Sequence, residues 1–170
     1  AAHVGTGIAV HVTGPNYLFD VFLDNVGVLS LLGGFKIVCQ DLSDGTGSMA
    51  GLHIRHCMFA VCYGWGIEIR GHAAIASIKH CSIHQNVVGG VLMGGKGLEI
   101  SNNDFEGQYR PLEVTNGTSS NDVFIHNNYF EQNEPGDPTP VTAALILLSL
   151  VHGFRVENNM VGQGITVPVV

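Results

Sequence analysis

Apolar and polar residues alternate in short runs along this chain, and the runs close in the same way again and again. LEISNNDFEGQ at 98–108 returns as VFIHNNYFEQN at 123–133 and as FRVENNMVGQG at 154–164. Alternation with period two predicts half-buried strands, and a phrase that recurs with its spacing intact marks a repeated structural unit. Aligned on that phrase, the chain holds six copies: VFLDNVGV from Val21, LHIRHCMF from Leu52, ASIKHCSI from Ala76, LEISNNDF from Leu98, VFIHNNYF from Val123 and FRVENNMV from Phe154.

Three positions keep their character through every copy. The apolar residue before the turn is Leu23, Ile54, Ile78, Ile100, Ile125 and Val156; the first turn residue is Asn25, His56, His80, Asn102, Asn127 and Asn158; three residues later come Val28, Phe59, Ile83, Phe105, Phe130 and Val161. The turn residues lie 31, 24, 22, 25 and 31 positions apart. Between copies runs a second strand, often opened by glycine, as in GFKIVCQ at 34–40, GIEIRG at 66–71, GVLMGG at 90–95 and GITVPV at 164–169. A third, shorter strand follows the turn, such as Phe105-Glu106.

Three strands in each period leave no room for the crossover helix of a βαβ unit, which needs a dozen residues or more. The remaining solution is a chain that winds on itself, equivalent strands pairing in parallel about 4.8 Å apart. The prediction is therefore an all-β fold: a single-stranded parallel β-helix of about six to seven coils filling residues 1–170 as one domain. Asparagine tolerates the left-handed backbone that a sharp corner needs, and stacked amides can bond from coil to coil, so the paired asparagines predict a ladder at one corner.

Composition supports this and narrows the function. Only 12% of residues are charged, 45% are hydrophobic and 23 are glycine, which suits short strands and tight turns. The formal charge of -7 comes without a basic stripe, so no nucleic-acid partner is expected. The longest apolar run, AALILLSLV at 143–151, falls short of the roughly 18 residues of a spanning helix, and no membrane insertion is expected. The chain opens without an initiator methionine or an apolar leader and reads as a fragment of a longer protein. Cys39, Cys57, Cys62 and Cys81 form no C-x-x-C pair and are too sparse for a disulfide scaffold.

The I-x-N-N-x-F phrase with its following E-x-x-N, in ISNNDFEGQ and IHNNYFEQN, resembles the right-handed parallel β-helix proteins of the pectate-lyase-like superfamily, most of all the shafts of bacteriophage tailspikes. The resemblance spans residues 7–169 and specifies the coil rather than the chemistry. It implies a right-handed helix, a homotrimer built with other parts of a longer chain, a bacterial surface polysaccharide as partner, and a place on a virion tail or outside the cell.

Outward columns are where such a solenoid would present ligands, because side chains alternate across a strand. Before the asparagine corner one column reads Phe22, His53, Ser77, Glu99, Phe124, Arg155 and its neighbour Asp24, Arg55, Lys79, Ser101, His126, Glu157. Aromatic faces and polar groups together suit sugars, and His53, Arg55, Lys79, Glu99, Phe124 and His126 are the candidate substrate-binding residues. The same mixture also fits an ordinary solvated face.

Two glutamate pairs are candidate catalytic groups. Glu106 and Glu131 stack one coil apart on the short strand, near the carboxyl spacing of retaining glycosidases; Glu68 and Glu113 lie two coils apart with Leu92 between, nearer the inverting geometry. Stacked glutamates on a wet surface also tolerate one another or share a cation such as calcium. His56-Cys57 and His80-Cys81 occupy the same corner on adjacent coils, but successive corner residues point in different directions, so they are expected to substitute in the ladder rather than bind zinc. No metal and no cofactor is expected. No G-x-S-x-G, P-loop or H-E-x-x-H occurs. Interruptions at 43–50 and 115–122 share one corner and could wall a groove; a third, at 131–142, does not. The functions in view are a tailspike-like element that binds and cleaves surface polysaccharide, a non-catalytic structural shaft, and a bacterial polysaccharide lyase or glycoside hydrolase.

Overall fold

The structure, a computed structural model, describes residues 6–12, 17–29, 32–39, 48–70, 72–108, 110–114, 120–131, 146–149 and 151–162. Within them the chain turns six times through the same three strands. Sheet A stacks Thr6–Val12, Gly33–Cys39, Trp65–Arg70, Gly89–Met93, Leu112–Val114 and Ile146–Leu148. Sheet B stacks Tyr17–Asp24, Ser48–Arg55, His72–Lys79, Gly95–Ser101, Ser120–His126 and Val151–Glu157. Sheet C stacks Gly27–Leu29, Met58–Ala60, Ser82–His84, Asp104–Glu106, Tyr129–Glu131 and Met160–Val161. Every strand pair is parallel, as the repeat predicts for an all-β parallel β-helix. The predicted strand at 164–169 and most of the three interruptions lie outside the described residues. No helix among the described residues is long and apolar enough to cross a membrane.

The register is the one the repeat dictates. Leu23, Ile54, Ile78, Ile100, Ile125 and Val156 are successive partners in sheet B. Val28, Phe59, Ile83, Phe105, Phe130 and Val161 are successive partners in sheet C. Apart from Val161, which is exposed on the last coil, these columns fill one continuous core with Ile37, Ile67, Val91 and Leu112 of sheet A. Phe105 and Phe130, wholly buried, stack with ring centroids 5.0 Å apart and planes 7° from parallel. Burying each such apolar side chain contributes about 1.5–3 kcal/mol, so the solenoid gains its stability column by column.

The corner between sheets B and C divides its two residues by task. The first, Asn25, His56, His80, Asn102, Asn127 or Asn158, adopts positive φ between 52° and 57° and faces outward. The second turns inward and carries the ladder. The Asn103 amide donates to Ile78 O and to Asn128 Oδ1, the Asn128 amide to Ile100 O and to Asn159 Oδ1, and the Asn159 amide to Ile125 O, all between 2.9 and 3.2 Å. Cys57 and Cys81 take the inward place in their coils, Cys57 donating its thiol to Arg55 O at 3.0 Å and Cys81 to Lys79 O at 3.3 Å. Both are free thiols, as expected of ladder substitutes.

Two features correct the expectation. The sheet B strands begin three or four residues before the predicted start, because each bends at a second left-handed column, Asp20, Gly51, Ile75, Gly97, Asp122 and Gly153, always five residues ahead of the first. A second, shorter amide ladder stands at the corner leaving sheet C: Asn86 Nδ2 donates to Phe59 O and Asn86 Oδ1 accepts from Cys62 N, both at 3.0 Å, and Gln108 Nε2 donates to Ile83 O.

Candidate functional site

The residue columns that the alternation predicts run along all three faces, although Ser77 and Ser101 on sheet B are covered by their neighbours. On sheet B, Phe22, His53, Ser77, Glu99, Phe124 and Arg155 are successive partners, and so are Asp24, Arg55, Lys79, Ser101, His126 and Glu157. Because two such columns run side by side, side chains from neighbouring coils reach one another. Lys79 Nζ lies 2.6 Å from Glu99 Oε2, and His126 Nε2 and Ser101 Oγ meet Glu99 Oε1 at 3.1 and 3.3 Å. Partial burial pushes the Glu99 carboxyl up, but the Lys79 and His126 hydrogen bonds and the Lys79 charge outweigh it and hold the group below the usual range.

Aromatic surface flanks that network at both ends. His53 stacks on Phe22 at 5.0 Å and shares a 2.8 Å hydrogen bond with Ser77 Oγ. Phe124 stacks against His126 at 4.0 Å, with the Arg155 guanidinium 5.3 Å from its ring centre. Five of the six predicted binding residues therefore join ring stacks or the Glu99 network. The sixth, Arg55, is exposed and helps depress the neighbouring Asp24 carboxyl, which is lowered first by its 2.9 Å hydrogen bond with His56.

At the asparagine corner, between sheets B and C, lies a shallow, open groove of about 500 Å³ lined by His80, Ser82, Asn102, Asp104, Asn127 and Tyr129, together with Cys81 and Asn103. Nothing in the spacing of the repeat announces this groove. The corner asparagines read as structural from the repeat, yet only the inward member of each pair is consumed by the ladder; the outward amides of Asn102 and Asn127 remain at the surface, Asn127 Nδ2 sharing a 3.0 Å hydrogen bond with His126 Nδ1. The signal that could have found it is the φ requirement itself, which forces the first corner residue to face away from the core.

Sheet C forms the other wall. Glu106 and Glu131 are direct partners on adjacent coils, with His84 the partner of Glu106 on the other side. Tyr129 donates its hydroxyl to Glu131 Oε2 at 2.9 Å, and that bond pushes the phenol up, reinforced by the charges of Glu131, Asp104 and Glu106. His84 Nε2 lies 3.3 Å from Asp104 Oδ2, and His84 Nδ1 lies 3.5 Å from Glu106 Oε2. Asp104, partnered with Ser82 and Tyr129 at the head of the strand, is the member the sequence did not single out.

On sheet A the order Lys36, Glu68, Leu92, Glu113 confirms two coils between the second glutamate pair. Each of these carboxylates has a cation at hand: Lys36 Nζ lies 3.0 Å from Glu68 Oε2, and Arg110 Nη1 lies 3.5 Å from Glu113 Oε2. Lys36 and Glu68 also line a depression of about 370 Å³ whose wall includes Trp65, itself only 8% exposed. His56 and His80 stack face to face at 5.5 Å on the surface, whereas Cys57 and Cys81 point into the core, so the zinc cluster weighed from spacing does not assemble.

No curated protein and no solved structure matches the chain. A family model described as the right handed beta helix region matches residues 38–167, coils two to six of the six in the structure. With three parallel sheets, an inward asparagine ladder and that match, the chain belongs to the right-handed β-helix family.

Proposed function

We propose that this chain is the shaft of a phage tailspike or tail fibre and binds bacterial surface polysaccharide along sheet B and the adjoining asparagine corner. The observation that carries this is the corner groove of about 500 Å³, where the outward amides of Asn102 and Asn127 and the ring of Tyr129 line one surface. Sugar hydroxyls exchange hydrogen bonds with amides and hydroxyls, and the apolar faces of sugar rings stack on aromatics. Beside it, sheet B repeats the same two kinds of group, the rings of Phe22 and Phe124 on either side of the polar set around Glu99. A parallel β-helix offers these groups at a constant step of about 4.8 Å, which suits a polymer whose own units repeat. Placement on a virion tail or outside the cell, and assembly as a homotrimer, belong to the same proposal.

A second reading, depolymerisation, is favoured by the direct pairing of Glu106 with Glu131 and by their unlike surroundings, His84 beside one and the Tyr129 hydroxyl on the other. Unlike surroundings are what separate an acid from a nucleophile in two-carboxylate hydrolysis. Both are tested by incubating the chain with bacterial capsule and lipopolysaccharide, measuring retention on the immobilised glycan and release of reducing or unsaturated ends. Retention with release that stops in Glu106→Gln and Glu131→Gln supports a hydrolase on sheet C; release that stops only in Glu68→Gln or Glu113→Gln moves the chemistry to sheet A. Retention without release leaves a binding protein, and the absence of both returns the chain to a structural shaft.

A further inference from the structure

On sheet C the described residues present Asp104, Glu106 and Glu131 without a lysine or arginine among them, and the one basic side chain in their midst is His84. One donor atom from each of His84, Asp104 and Glu106 lies within 4.8 Å of the others. Nδ1 of the imidazole faces Glu106 at 3.5 Å, and Nε2 lies 3.3 Å from Asp104 while sharing a 2.8 Å hydrogen bond with Ser82 Oγ. With its one N–H on Nδ1, the imidazole accepts the Ser82 hydroxyl at Nε2 and donates nothing to Asp104. Two carboxylates thus meet one imidazole that donates to only one of them. Asp104 adds a second, separate sign: although its side chain is 44% exposed, its Oδ1 is shielded from solvent and has no hydrogen-bond partner among the described residues. A sheltered carboxylate oxygen without a donor is costly unless a cation completes it.

We propose that His84, Asp104 and Glu106 form a binding site for a divalent metal ion that accepts mixed nitrogen and oxygen donors, the Zn²⁺ class. One imidazole nitrogen and two carboxylate oxygens match the donor types zinc takes, at about 2.0–2.2 Å, and three protein donors leave a fourth position open to water or to a ligand hydroxyl. Calcium and magnesium prefer all-oxygen shells, so the histidine selects against them. The ligands come from two adjacent coils, His84 from one and Asp104 and Glu106 from the next, and the alternation of the short strands holds Asp104 and Glu106 on one face. A metal there opens beside the corner groove, which Asp104 also lines.

The test is calorimetric titration of the chain with zinc chloride, repeated with calcium chloride. One Zn²⁺ per chain is expected, with affinity falling at least about tenfold in each of Asp104→Asn, Glu106→Gln and His84→Ala and unchanged in His56→Ala. The first two variants keep shape and remove charge, and circular dichroism of each confirms the fold. Failure of Zn²⁺ to bind, binding that survives both Asp104→Asn and Glu106→Gln, loss in His56→Ala, or calcium binding as tight as zinc would each overturn the assignment.

Discussion

Asn127 and Asn128 are neighbours in sequence and do opposite work. Asn127 supplies a backbone at φ 55° and faces out, while Asn128 is buried and bonds Ile100 O and the coils on either side. Asn127→Gly should therefore leave stability nearly unchanged, since glycine accepts positive φ freely, whereas Asn128→Ala strands buried backbone and amide partners and should cost about 1–3 kcal/mol. Urea unfolding of the two variants checks this, and equal losses would contradict the division of labour. Ile75 is the reverse case. It is a β-branched residue at φ 55° with its side chain 65% exposed, in a column otherwise filled by aspartate and glycine. Strain of this kind costs on the order of 1 kcal/mol, so Ile75→Gly is expected to raise the unfolding midpoint rather than lower it.

At the scale of the element, sheet B behaves as a network of charges laid across coils. The Glu99 carboxyl is held below its ordinary value of 4.5. A depressed acid stabilises the fold above its unfolded pKa, and the contribution disappears as pH falls through the lower folded value. The Lys79–Glu99 pair is about one-third exposed on both sides, so solvent screening keeps its worth below about 1 kcal/mol. Glu99→Gln should accordingly weaken the protein at pH 7 and make no difference at pH 2–3, which denaturant midpoints at the two pH values measure. A loss of equal size at both would mean that the residue acts through packing. Cys81 is the silent member of this region: burial pushes its thiol up to about 12, so alkylation at pH 8 should spare it in the folded chain and label it in denaturant.

Across the whole molecule, what the sequence made legible was whatever repeats. Ile54, Ile78, Ile100 and Ile125 announce their column because each coil imposes the same demand, and the outward columns follow from alternation alone. The bend column stayed hidden because backbone shape, not side-chain chemistry, defines it, and Asp20, Gly51 and Ile75 share no chemistry to align on. The pairing of Lys36 with Glu68 was within reach, since both lie on the outward column of sheet A in adjacent coils. The cluster of His84 and Asp104 was not, because Nε2 meets Oδ2 diagonally, between a residue at the end of one short strand and one at the head of the next.

A solenoid that reads a polymer along sheet B should lose it when the aromatic end of that face is removed. Affinity electrophoresis in gels containing bacterial capsule or lipopolysaccharide gives the dissociation constant of the wild type and of Phe124→Ala, His126→Ala and Glu131→Gln. Retardation of the wild type, weakened about tenfold or more by each of the first two changes and little by the third, is the predicted result. Migration indifferent to every glycan, or retardation untouched by Phe124→Ala and His126→Ala, would contradict a polysaccharide-binding face on sheet B.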